Sequence, residues 1–399
     1  MAPLEGIKVL DLTHMLSGPY GTMLLTDLGA STIKVEPPGS GEGTRQLLAT
    51  DKDYSRHGMG AYFLTLNRSK KSVAIDLKSE SGREIFLDLV RDADVVFDNF
   101  AVGVTKRLGI HYEDLVQVNP RIITCSITGF GSYGPGANRP AFDQVVQAMG
   151  GGMSITGFPD QPPVRSGIAI GDLGGGIFGA MGVLAALQAR SVTGRGQHVD
   201  VSMLDAQISL LNYMATMHLM SGHVPERIGN GHFVHVPYNT FKTSDGYVVI
   251  ACIGDAFFEK LLTVIDRSEL SNPAYKKQPA RYADKALIEG VVGEELAKHS
   301  NDYWLKKLAA ARVPCAPVNN FEQATTDPQV IARDMVVEVK LNQGGTVRMP
   351  GVPMKFSDTS STTFSSPPQL GEHTDDVLAS WLGYDQEKIS QLRAAGAIQ

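Results

Sequence analysis

Short apolar segments typical of strands alternate with amphipathic segments typical of helices through the first third of this 399-residue chain. Such alternation predicts an α/β fold with a mostly parallel sheet covered by helices on both faces. Helices are predicted from Pro19 to about Leu28 and after a capping box formed by Ser81 and Glu84. The predicted strands are residues 7–12, 31–36, 72–76, 94–97, 121–127 and 197–201. Because ligands of such sheets bind at the carboxyl ends of strands, the binding region is predicted at loops 14–18, 99–100 and 128–131.

The segment from Ser166 to Gly182 is apolar or glycine almost throughout, and Asp172 is its one charged residue. Burying a lone carboxylate is costly unless it is capped or used. Asp172 could cap a buried helix predicted at residues 173–190. Nearby glycines lower helix propensity by up to about 1 kcal/mol each relative to alanine, and they favour close approach of a bulky ligand. Those glycines are Gly171, Gly174, Gly175 and Gly176. We therefore take Asp172 as the leading candidate for a reactive group.

The length of the chain and a change in its composition predict more than one domain, since 399 residues are more than a single hydrophobic core usually contains. From about Pro225 a glycine-broken loop leads to a strand with a turn at 244–246 and then to several polar helices. We expect residues 1–224 to form the first part of a large domain and residues 225–330 a smaller α+β domain. Residues 331–399 are expected to return to the large domain and complete it.

Composition narrows the partners and the compartment. A net charge of −6 argues against a general nucleic-acid surface, so an anionic ligand would need a local basic cluster. No apolar run reaches the length expected to span a bilayer and the first residues lack signal-peptide character, so a cytoplasmic protein without membrane contact is predicted. The three cysteines lie far apart, which predicts neither a disulfide nor a zinc site. The candidate basic cluster consists of Arg68, Lys70, Lys71, Lys106 and Arg107, each of which could equally be a solvated loop charge.

A dinucleotide fingerprint offers a competing hypothesis. Gly174-x-Gly176-x-x-Gly179 matches its glycine spacing, and Asp200 follows at roughly the required distance. An NAD-dependent oxidoreductase is therefore an alternative. The match lies in the middle of the chain, and the turn that opens the sheet, residues 14–21, lacks it. No P-loop and no GxSxG elbow are present in the sequence.

A set of short motifs in conserved order and spacing resembles the class III CoA-transferases, a family that includes formyl-CoA:oxalate transferase, carnitine CoA-transferase and α-methylacyl-CoA racemases. The resemblance covers nearly the whole chain. Its motifs include Ser17-Gly-Pro19, Ile33-Lys-Val-Glu36, Gly171-Asp-Leu173, Thr193-Gly-Arg-Gly-Gln197 and Leu370-Gly-Glu-His-Thr374, with further matches at residues 6–14, 28–30, 66–67, 99–100, 107–109, 119–120 and 129–131.

This resemblance implies a Rossmann-like large domain built from both chain ends, a small domain between them, and a homodimer of two chains interlocked as rings. It implies that Asp172 is the nucleophile and that acyl-CoA is a substrate, with no tightly bound cofactor and no metal. The positions that it implies for CoA, with Lys71 added from the basic cluster, are His14, Ser17, Gly18, Pro19, Asn67, Lys70, Lys71, Asn99, Phe100 and Arg107.

Transferases and racemases of this family differ in a second base, which in racemases is a histidine directly before an aspartate. Here the dipeptide is Phe142-Asp143, so the general base is missing and CoA transfer is favoured over racemisation. His232 and His235 could substitute for that base. Asp143 could orient the acceptor acid or share a proton with Asp172, or it could be a surface carboxylate.

Two further features bear on the acceptor acid. The glycine-flanked loop Gly229, Asn230, Gly231 and His232 is predicted to close over the site and exclude water. Leu16 stands where the oxalate enzymes place a glutamine, which argues against formyl-CoA:oxalate activity. We therefore expect the acceptor to be a small carboxylic acid that is larger than oxalate, namely a dicarboxylate, with succinyl-CoA as the donor.

Overall fold

The computed structural model describes residues 1–359 and 363–399 of the chain. Its largest sheet has six strands, and every pairing in it is parallel. Its inner strands are almost fully buried runs of mainly Val, Ile and Phe, as expected for a sheet covered on both faces. In spatial order the strands are Lys71–Ala74, Ser31–Glu36, Lys8–Asp11, Val95–Asp98, Ile123–Thr128 and His198–Ser202. The predicted α/β fold with a parallel central sheet is confirmed.

Alternate residues of these strands enter two separate buried clusters, as the two-residue period of a strand requires. One cluster contains Val96 and joins the helix Glu80–Asp92 to two C-terminal helices. The other contains Val95 and joins the helices Ser17–Asp27 and Ile170–Thr193. The end of the chain therefore completes a helical layer begun near its start. The remaining helices around this sheet are Ala61–Leu66, Val104–Leu108, Tyr112–Val118, Asp143–Met149, Met203–Leu211, Tyr213–Ser221, Thr374–Leu382 and Gln386–Ala394.

Two antiparallel hairpins and a short 3₁₀ helix belong to the same compact unit as the central sheet, although they lie far apart in the sequence. Met59, Phe63 and Val339 form the centre of a small apolar cluster between them. The hairpins pair Ser55–Arg56 with Met59–Gly60 and Val336–Lys340 with Thr346–Pro350, and the 3₁₀ helix is Gly43–Arg45.

The described residues divide into two compact units. The first comprises residues 1–152, 165–222 and 331–399, and the second comprises 153–164 and 223–330. The predicted ranges put all of 1–224 in the large domain, whereas residues 153–164 group with the second unit. The reason lies in backbone pairing that the sequence does not show, because the Gly229 N–H donates to the Gly157 carbonyl at 3.0 Å.

The second unit has its own core around Trp304 and Phe258. A three-stranded antiparallel sheet, in the order Cys315–Pro317, Tyr247–Ala251, Tyr238–Lys242, lies against its helices. The helices are Asp255–Leu262, Gln278–Ala283, Lys285–Leu296, Asn301–Ala310 and Phe321–Thr326, with 3₁₀ turns at Ser268–Leu270 and Pro273–Lys276. Two short helices, Gly152–Ile155 and Pro328–Ala332, lie where the chain passes from one unit to the other.

Local differences from the predicted elements have identifiable causes. The helix expected at Pro19 begins at Ser17, and Ser79 replaces Ser81 as the cap of the next helix because its hydroxyl accepts from the Gly82 N–H. The helices Met203–Leu211 and Tyr213–Ser221 are separated at Asn212, whose φ of 48° is incompatible with a continuous right-handed helix.

The helix Ile170–Thr193, called the glycine helix below, is 24 residues long. By length and composition alone it is apolar enough to cross a membrane, which corrects the prediction that no apolar run reaches that length. In the structure, Val183, Ala186 and several of its glycines are buried against the central sheet. One face of this helix therefore packs into the core, while Ile177 and Met181 on it remain exposed.

Candidate active site

A cavity of about 740 Å³ lies at the carboxyl ends of the central strands. Three loops that follow strands contribute to its wall, namely those at His14–Ser17, Asn99–Val102 and Thr128–Gly129. Asp143 and Asp172 line it as well. The structure thus brings together the nucleophile candidate, the second acidic candidate and three loops that the sequence places far apart.

The position of Asp172 follows from the start of the glycine helix. Ala169 is the N-cap residue and makes no side-chain cap, and Asp172 is the third residue of the helix. The interpretation of Asp172 as the cap is therefore wrong. Its carboxylate is free for another role.

The glycines around Asp172 serve helix packing. A Cβ on Gly176 would lie 2.6 Å from the Ser17 carbonyl oxygen, and one on Gly179 would lie 2.8 Å from the Phe97 ring. The glycine helix therefore approaches the helix Ser17–Asp27 and the sheet more closely than any side chain would permit. The interpretation that these glycines admit a bulky ligand is corrected, because protein atoms occupy the space.

Asp172 is an uncompensated carboxylate. Burial, with a contribution from the nearby Asp143, raises its pKa to about 6. Within the part of the chain that the structure describes, no side chain donates a hydrogen bond to it and no cation pairs with it. The side chain is therefore ionised at neutral pH and more basic than an ordinary aspartate.

Asp143, the first residue of the helix Asp143–Met149, supplies the cap that Asp172 does not. Its Oδ1 accepts from the Gly171 N–H at 2.8 Å and from the Asp172 N–H at 3.3 Å. A carboxylate at a helix start is stabilised by the free amide groups and by the helix dipole. Asp143 is therefore part of the site, and the surface-carboxylate interpretation is wrong.

Gln147 is a residue of this site that sequence reasoning missed. It is 2% exposed. Its Nε2 donates to Asp143 Oδ2 at 2.7 Å, and its Oε1 accepts from the Ser166 N–H at 2.9 Å. The signal for it was a polar residue one helical turn after an acidic one, on an otherwise apolar helix face.

Arg139 and Arg165 also line the cavity and were not singled out from the sequence. The Arg139 guanidinium lies 5.0 Å from the centre of the Phe130 ring. Arg165 is exposed and its guanidinium donates to the carbonyls of Ser166 and Gly167. These two arginines place cationic side chains in the same wall as Asp143 and Asp172.

His14 and Asn99 hold the two loops of the cavity wall together. The Asn99 side chain accepts from the His14 N–H at 2.8 Å and donates to the His14 carbonyl at 2.7 Å. Burial lowers the pKa of the His14 imidazole, and Lys34 lowers it further. The Phe100 ring lies 5.6 Å from the imidazole.

His14 and Phe100 also border a second cavity of about 360 Å³. Its wall is mostly apolar, with Leu12, Val35 and Ile75, and it includes the cationic residues Arg107 and Lys78 and the acidic residues Glu36 and Asp76. An apolar slot with a few cationic groups suits a planar, phosphorylated ligand.

Several residues predicted to bind CoA are buried in the protein and line neither of these two cavities. The Lys70 ammonium donates to Asp11 Oδ2 and to Thr22 Oγ1, each at 2.8 Å, and to the Asn67 side chain at 3.1 Å. Lys70, Lys34 and Asp11 form what we call the charge cluster, in which all three side chains are fully buried. The prediction that Lys70 and Asn67 contact a ligand is corrected, because their polar groups are used inside the protein.

The other members of the predicted basic cluster are also dispersed. Arg68 forms a buried pair with Asp27 at 2.6 Å, and Lys71 pairs with Asp376 at the surface. Arg107 alone among them lines one of the two cavities described here. The expected shared anion surface does not form, because each cation except Arg107 and Lys106 has an acidic partner from a distant part of the sequence.

Of the segment Ser17, Gly18 and Pro19, only Ser17 lines the larger cavity. Gly18 is buried behind it, and a Cβ there would lie 2.5 Å from the Thr13 side chain. The Ser17 hydroxyl is buried and has no hydrogen-bond partner among the described residues. The Ser17 hydroxyl lies beside Gly175, which follows Asp172 by one turn of the glycine helix.

The loop predicted to cover the site lies in the second unit. The Gly229 N–H donates to Gly157, and the Lys285 ammonium donates to the His232 carbonyl at 3.2 Å. His232 Nδ1 accepts from the Val234 and His235 N–H groups at 2.9 and 3.1 Å. Asn230 and Gly231 lie between these anchors.

The dinucleotide fingerprint is contradicted by the structure. Gly174, Gly176 and Gly179 lie inside a continuous helix and not in the turn between a strand and a helix that this motif requires. Asp200 accepts from the Ser132 hydroxyl at 2.6 Å. The oxidoreductase hypothesis is therefore wrong. Among residues 1–359 and 363–399 no group of His, Cys, Asp and Glu has the arrangement of a metal site.

This architecture and this site are those of an acyl-CoA enzyme of a known class. Residues 4–374 match the model of CoA-transferase family III, and the chain belongs to that family. The predicted family and the predicted CoA-transferase activity are confirmed.

Curated relatives and a solved structure agree with this assignment. The chain is 43% identical over 357 residues to an acetyl-CoA:oxalate CoA-transferase of Acetobacter aceti, covering 89% of each chain. It is 35% identical over 401 residues to the human succinyl-CoA:glutarate CoA-transferase, covering 99% of this chain and 90% of the relative. A CAIB/BAIF family protein from Brucella suis has the same fold, with a TM-score of 0.85 and 38% identity over 95% of this chain and 99% of that one.

Proposed function

We propose that this enzyme transfers CoA from an acyl-CoA donor to a dicarboxylic acid through a covalent intermediate on Asp172. The observation that carries the proposal is the Asp172 carboxylate, which lines the larger cavity and has no paired cation and no hydrogen-bond donor among residues 1–359 and 363–399. A carboxylate in such surroundings retains its nucleophilicity, whereas an ion-paired carboxylate does not.

The covalent steps balance as two exchanges. Asp172 Oδ attacks the donor carbonyl carbon and the C–S bond breaks. CoA departs as the thiolate, and Asp172 is then joined to the donor acyl group in a mixed anhydride. The thiolate then attacks Asp172 Cγ and releases the donor acid, which leaves an aspartyl-CoA thioester. The acceptor carboxylate attacks this thioester and forms a second anhydride. The returning thiolate attacks the acceptor carbonyl and regenerates the Asp172 carboxylate.

Each step passes through a tetrahedral oxyanion that needs fixed donors. The Gly171 and Asp172 N–H groups are already bound by Asp143. The start of the helix Ser17–Asp27 is different, because its N-cap Leu16 makes no side-chain cap and the first helical amides have no partner within the helix. We propose that the Ser17 N–H group, which belongs to a residue of the cavity wall, stabilises the oxyanion.

The second cavity is the proposed site of the CoA nucleotide. Phe100 and the apolar wall would pack against the base, and Arg107 and Lys78 would bind phosphate oxygens. Because His14 and Phe100 border both cavities, a molecule that fills the smaller one can extend into the larger one toward Asp172.

The proposed acceptor is a dicarboxylate with succinyl-CoA as donor. Arg139 and Arg165 supply the cationic groups that a second carboxylate needs. Two relatives are named for the dicarboxylates oxalate and glutarate, and one of these for succinyl-CoA. Leu16 in the cavity wall favours an acceptor longer than oxalate.

Racemisation of a 2-methylacyl-CoA is the alternative that shares this fold. Phe142 occupies the position of the second base and is 70% exposed, so no imidazole stands beside Asp143. Retention of deuterium at the α-carbon of a labelled 2-methylacyl-CoA would support transfer, and its loss would support racemisation.

We also propose a cytoplasmic homodimer in which two chains interlock. The support is an apolar surface on the glycine helix and the two helices after it, which a second copy would cover. Its exposed side chains are Ile177, Met181, Ile208, Leu210, Met217, Leu219 and Met220. Sedimentation of the purified enzyme as a dimer is expected, and a monomer at micromolar concentration would contradict it.

The covalent scheme is tested by following oxygen and mass. With an acceptor acid labelled with ¹⁸O in both oxygens of its reacting carboxylate, one label should stay in the new thioester and one should pass to Asp172. In a later turnover that label should leave in the donor acid when the labelled oxygen is the one that attacks. Denaturing mass spectrometry after incubation with succinyl-CoA should show a CoA adduct that Asp172→Ala lacks. Direct attack of the acceptor on the donor thioester would give no adduct and no labelled enzyme.

A further inference from the structure

Gln147 is a buried amide whose two ends are both used. Its Nε2 donates to Asp143 at 2.7 Å and its Oε1 accepts from the Ser166 N–H at 2.9 Å. A neutral amide can donate at one end and accept at the other, and a neutral carboxylic acid can do the same. The side chain therefore does more than fill space at 2% exposure.

These bonds tie both ends of one segment to the same short helix. The segment runs from Ser166 to Asp172 and leads into the glycine helix. At its start, Ser166 is held by Gln147, and at its end the Gly171 and Asp172 amides are held by Asp143. Gln147 also holds Asp143, so two hydrogen bonds and one carboxylate connect it to the main chain of Asp172.

The atoms around the hydrogen bonds of Asp143 to the start of the glycine helix are closely packed. A Cβ on Gly171 would lie 2.6 Å from Val146 and 2.9 Å from Asp143 Oδ1. Val146 and Gln147 are both buried in the helix that faces this segment. A rotation of the Asp143 carboxylate would therefore move the start of the glycine helix.

The charge of the partner matters as much as its geometry. A lysine or arginine at position 147 would also satisfy Asp143, but it would place a cation beside the carboxylate pair and neutralise it. The amide satisfies Asp143 without a charge. The negative field of Asp143 thus continues to act on Asp172.

We propose that Gln147 is a positioning residue, which orients Asp143 and through it fixes the main chain and the electrostatic surroundings of the nucleophile. This inference rests on the proposed role of Asp172. It assigns no contact between Gln147 and substrate.

The test compares Gln147→Leu, Gln147→Glu and a matched control, Gln391→Glu. Gln391 also donates to an acidic residue four positions earlier, Glu387, but on an exposed helix. For each variant, kcat and KM are measured from pH 5 to 8.5 with succinyl-CoA and glutarate and divided by the wild-type value at the same pH. Thermal unfolding is recorded in parallel.

Gln147→Leu should lower kcat by about 30-fold or more at every pH, because small displacements of a nucleophile are costly, while KM for the donor stays within about threefold. Gln147→Glu should be as impaired at pH 8 and should recover at least about tenfold relative to wild type toward pH 5, since a neutral acid restores both hydrogen bonds. Gln391→Glu should match wild type throughout.

The proposal is overturned if Gln147→Leu unfolds at lower temperature but keeps wild-type kcat, or if the two Gln147 variants share one pH profile. If Gln147→Leu does not fold, the low-pH recovery of Gln147→Glu decides by itself. A wild-type enzyme that transfers no CoA would refute the proposed function instead, so the two failures are distinguishable.

Discussion

Asp11 is fully buried and Asp172 is partly buried, and the protein surrounds these two carboxylates with opposite partners. Asp11, at the end of a central strand, accepts from Lys70 at 2.8 Å and lies 3.8 Å from Lys34. Burial would raise its pKa, but the two lysines outweigh burial and hold the pKa well below its usual range. Asp172 pairs with no cation in the described part of the chain, and burial together with Asp143 raises its pKa to about 6.

Asp172 is less buried than Asp11, so the amount of burial does not explain its higher pKa, and the difference lies in the partners. An ion-paired carboxylate is stabilised as the anion, so it gains little by forming a bond to carbon. A carboxylate next to another negative charge is destabilised as the anion and gains by such a bond. The fold thus holds one aspartate as structure and keeps the other available for chemistry.

The largest expected effect is the loss of transfer in Asp172→Asn. Without a carboxylate nucleophile the rate should fall by at least about 10⁴-fold, as for removal of other covalent nucleophiles. Steady-state transfer from succinyl-CoA measures this. Asp302→Asn, an exposed aspartate in another helix, is the control and should transfer normally. A variant at position 172 that kept a tenth of the wild-type rate would contradict the covalent scheme.

The same variant should be more stable at high pH. Because the folded pKa of Asp172 lies above the ordinary value of 3.8, the ionised group destabilises the fold above about pH 6, and the penalty disappears as pH falls toward 4. Asp172→Asn should therefore gain about 1–2 kcal/mol of unfolding free energy at pH 8, after allowance for solvent screening. The gain should vanish near pH 4, and a gain that is constant with pH would be inconsistent with this origin.

The next effect is on stability, in Asp11→Asn. Removing the carboxylate leaves Lys34 and Lys70 buried without an anion, which should cost about 3–5 kcal/mol in urea unfolding at pH 7. The adjacent pair of Lys71 and Asp376 is exposed, so Asp376→Asn should cost less than about 1 kcal/mol. Equal losses in the two variants would show that burial does not distinguish the pairs.

A smaller effect is expected in Asp143→Asn. Removal of the neighbouring negative charge should move the pKa of Asp172 from about 6 down toward its ordinary value. The acidic limb of the rate profile should shift to lower pH, and the maximal rate should fall about tenfold as the nucleophile becomes less basic and loses its oriented helix start. An unshifted limb would show that Asp143 acts only through its hydrogen bonds.

The sequence was informative where one segment carries the signal by itself. The apolar runs of the strands predict a parallel sheet without knowledge of their partners, and the isolation of Asp172 in an apolar segment marks it before its neighbours are known. The family motifs add the activity. These features depend on local pattern and composition.

What the sequence could not show depends on pairs of distant residues. The family resemblance predicts that Lys70 contacts CoA, and no local pattern shows that its partner is Asp11, 59 positions away. The bond between Gln147 and Ser166 spans 19 positions and appears in no local pattern. The glycines from Gly171 to Gly176 are predicted from the sequence to make room for a ligand, because the sequence does not show which helices pack against them. In each case a tertiary contact decides between two meanings of the same residue.

The smallest effect compares two hydroxyl groups of one helix. Thr22 Oγ1 donates to Asp11 and accepts from Lys70 in the charge cluster, each at 2.8 Å, whereas the buried Ser17 hydroxyl in the cavity wall has no partner among the described residues. Thr22→Val should cost about 1–3 kcal/mol of unfolding free energy, because it leaves charged groups short of a hydrogen bond. Ser17→Ala should cost nothing or add up to about 1 kcal/mol, since it removes an unsatisfied polar atom. Urea unfolding of both variants at pH 7 measures the difference. A stability loss in Ser17→Ala as large as that in Thr22→Val would mean that the Ser17 hydroxyl is bonded in solution, and the contrast between the cavity side and the cluster side of this helix would then fail.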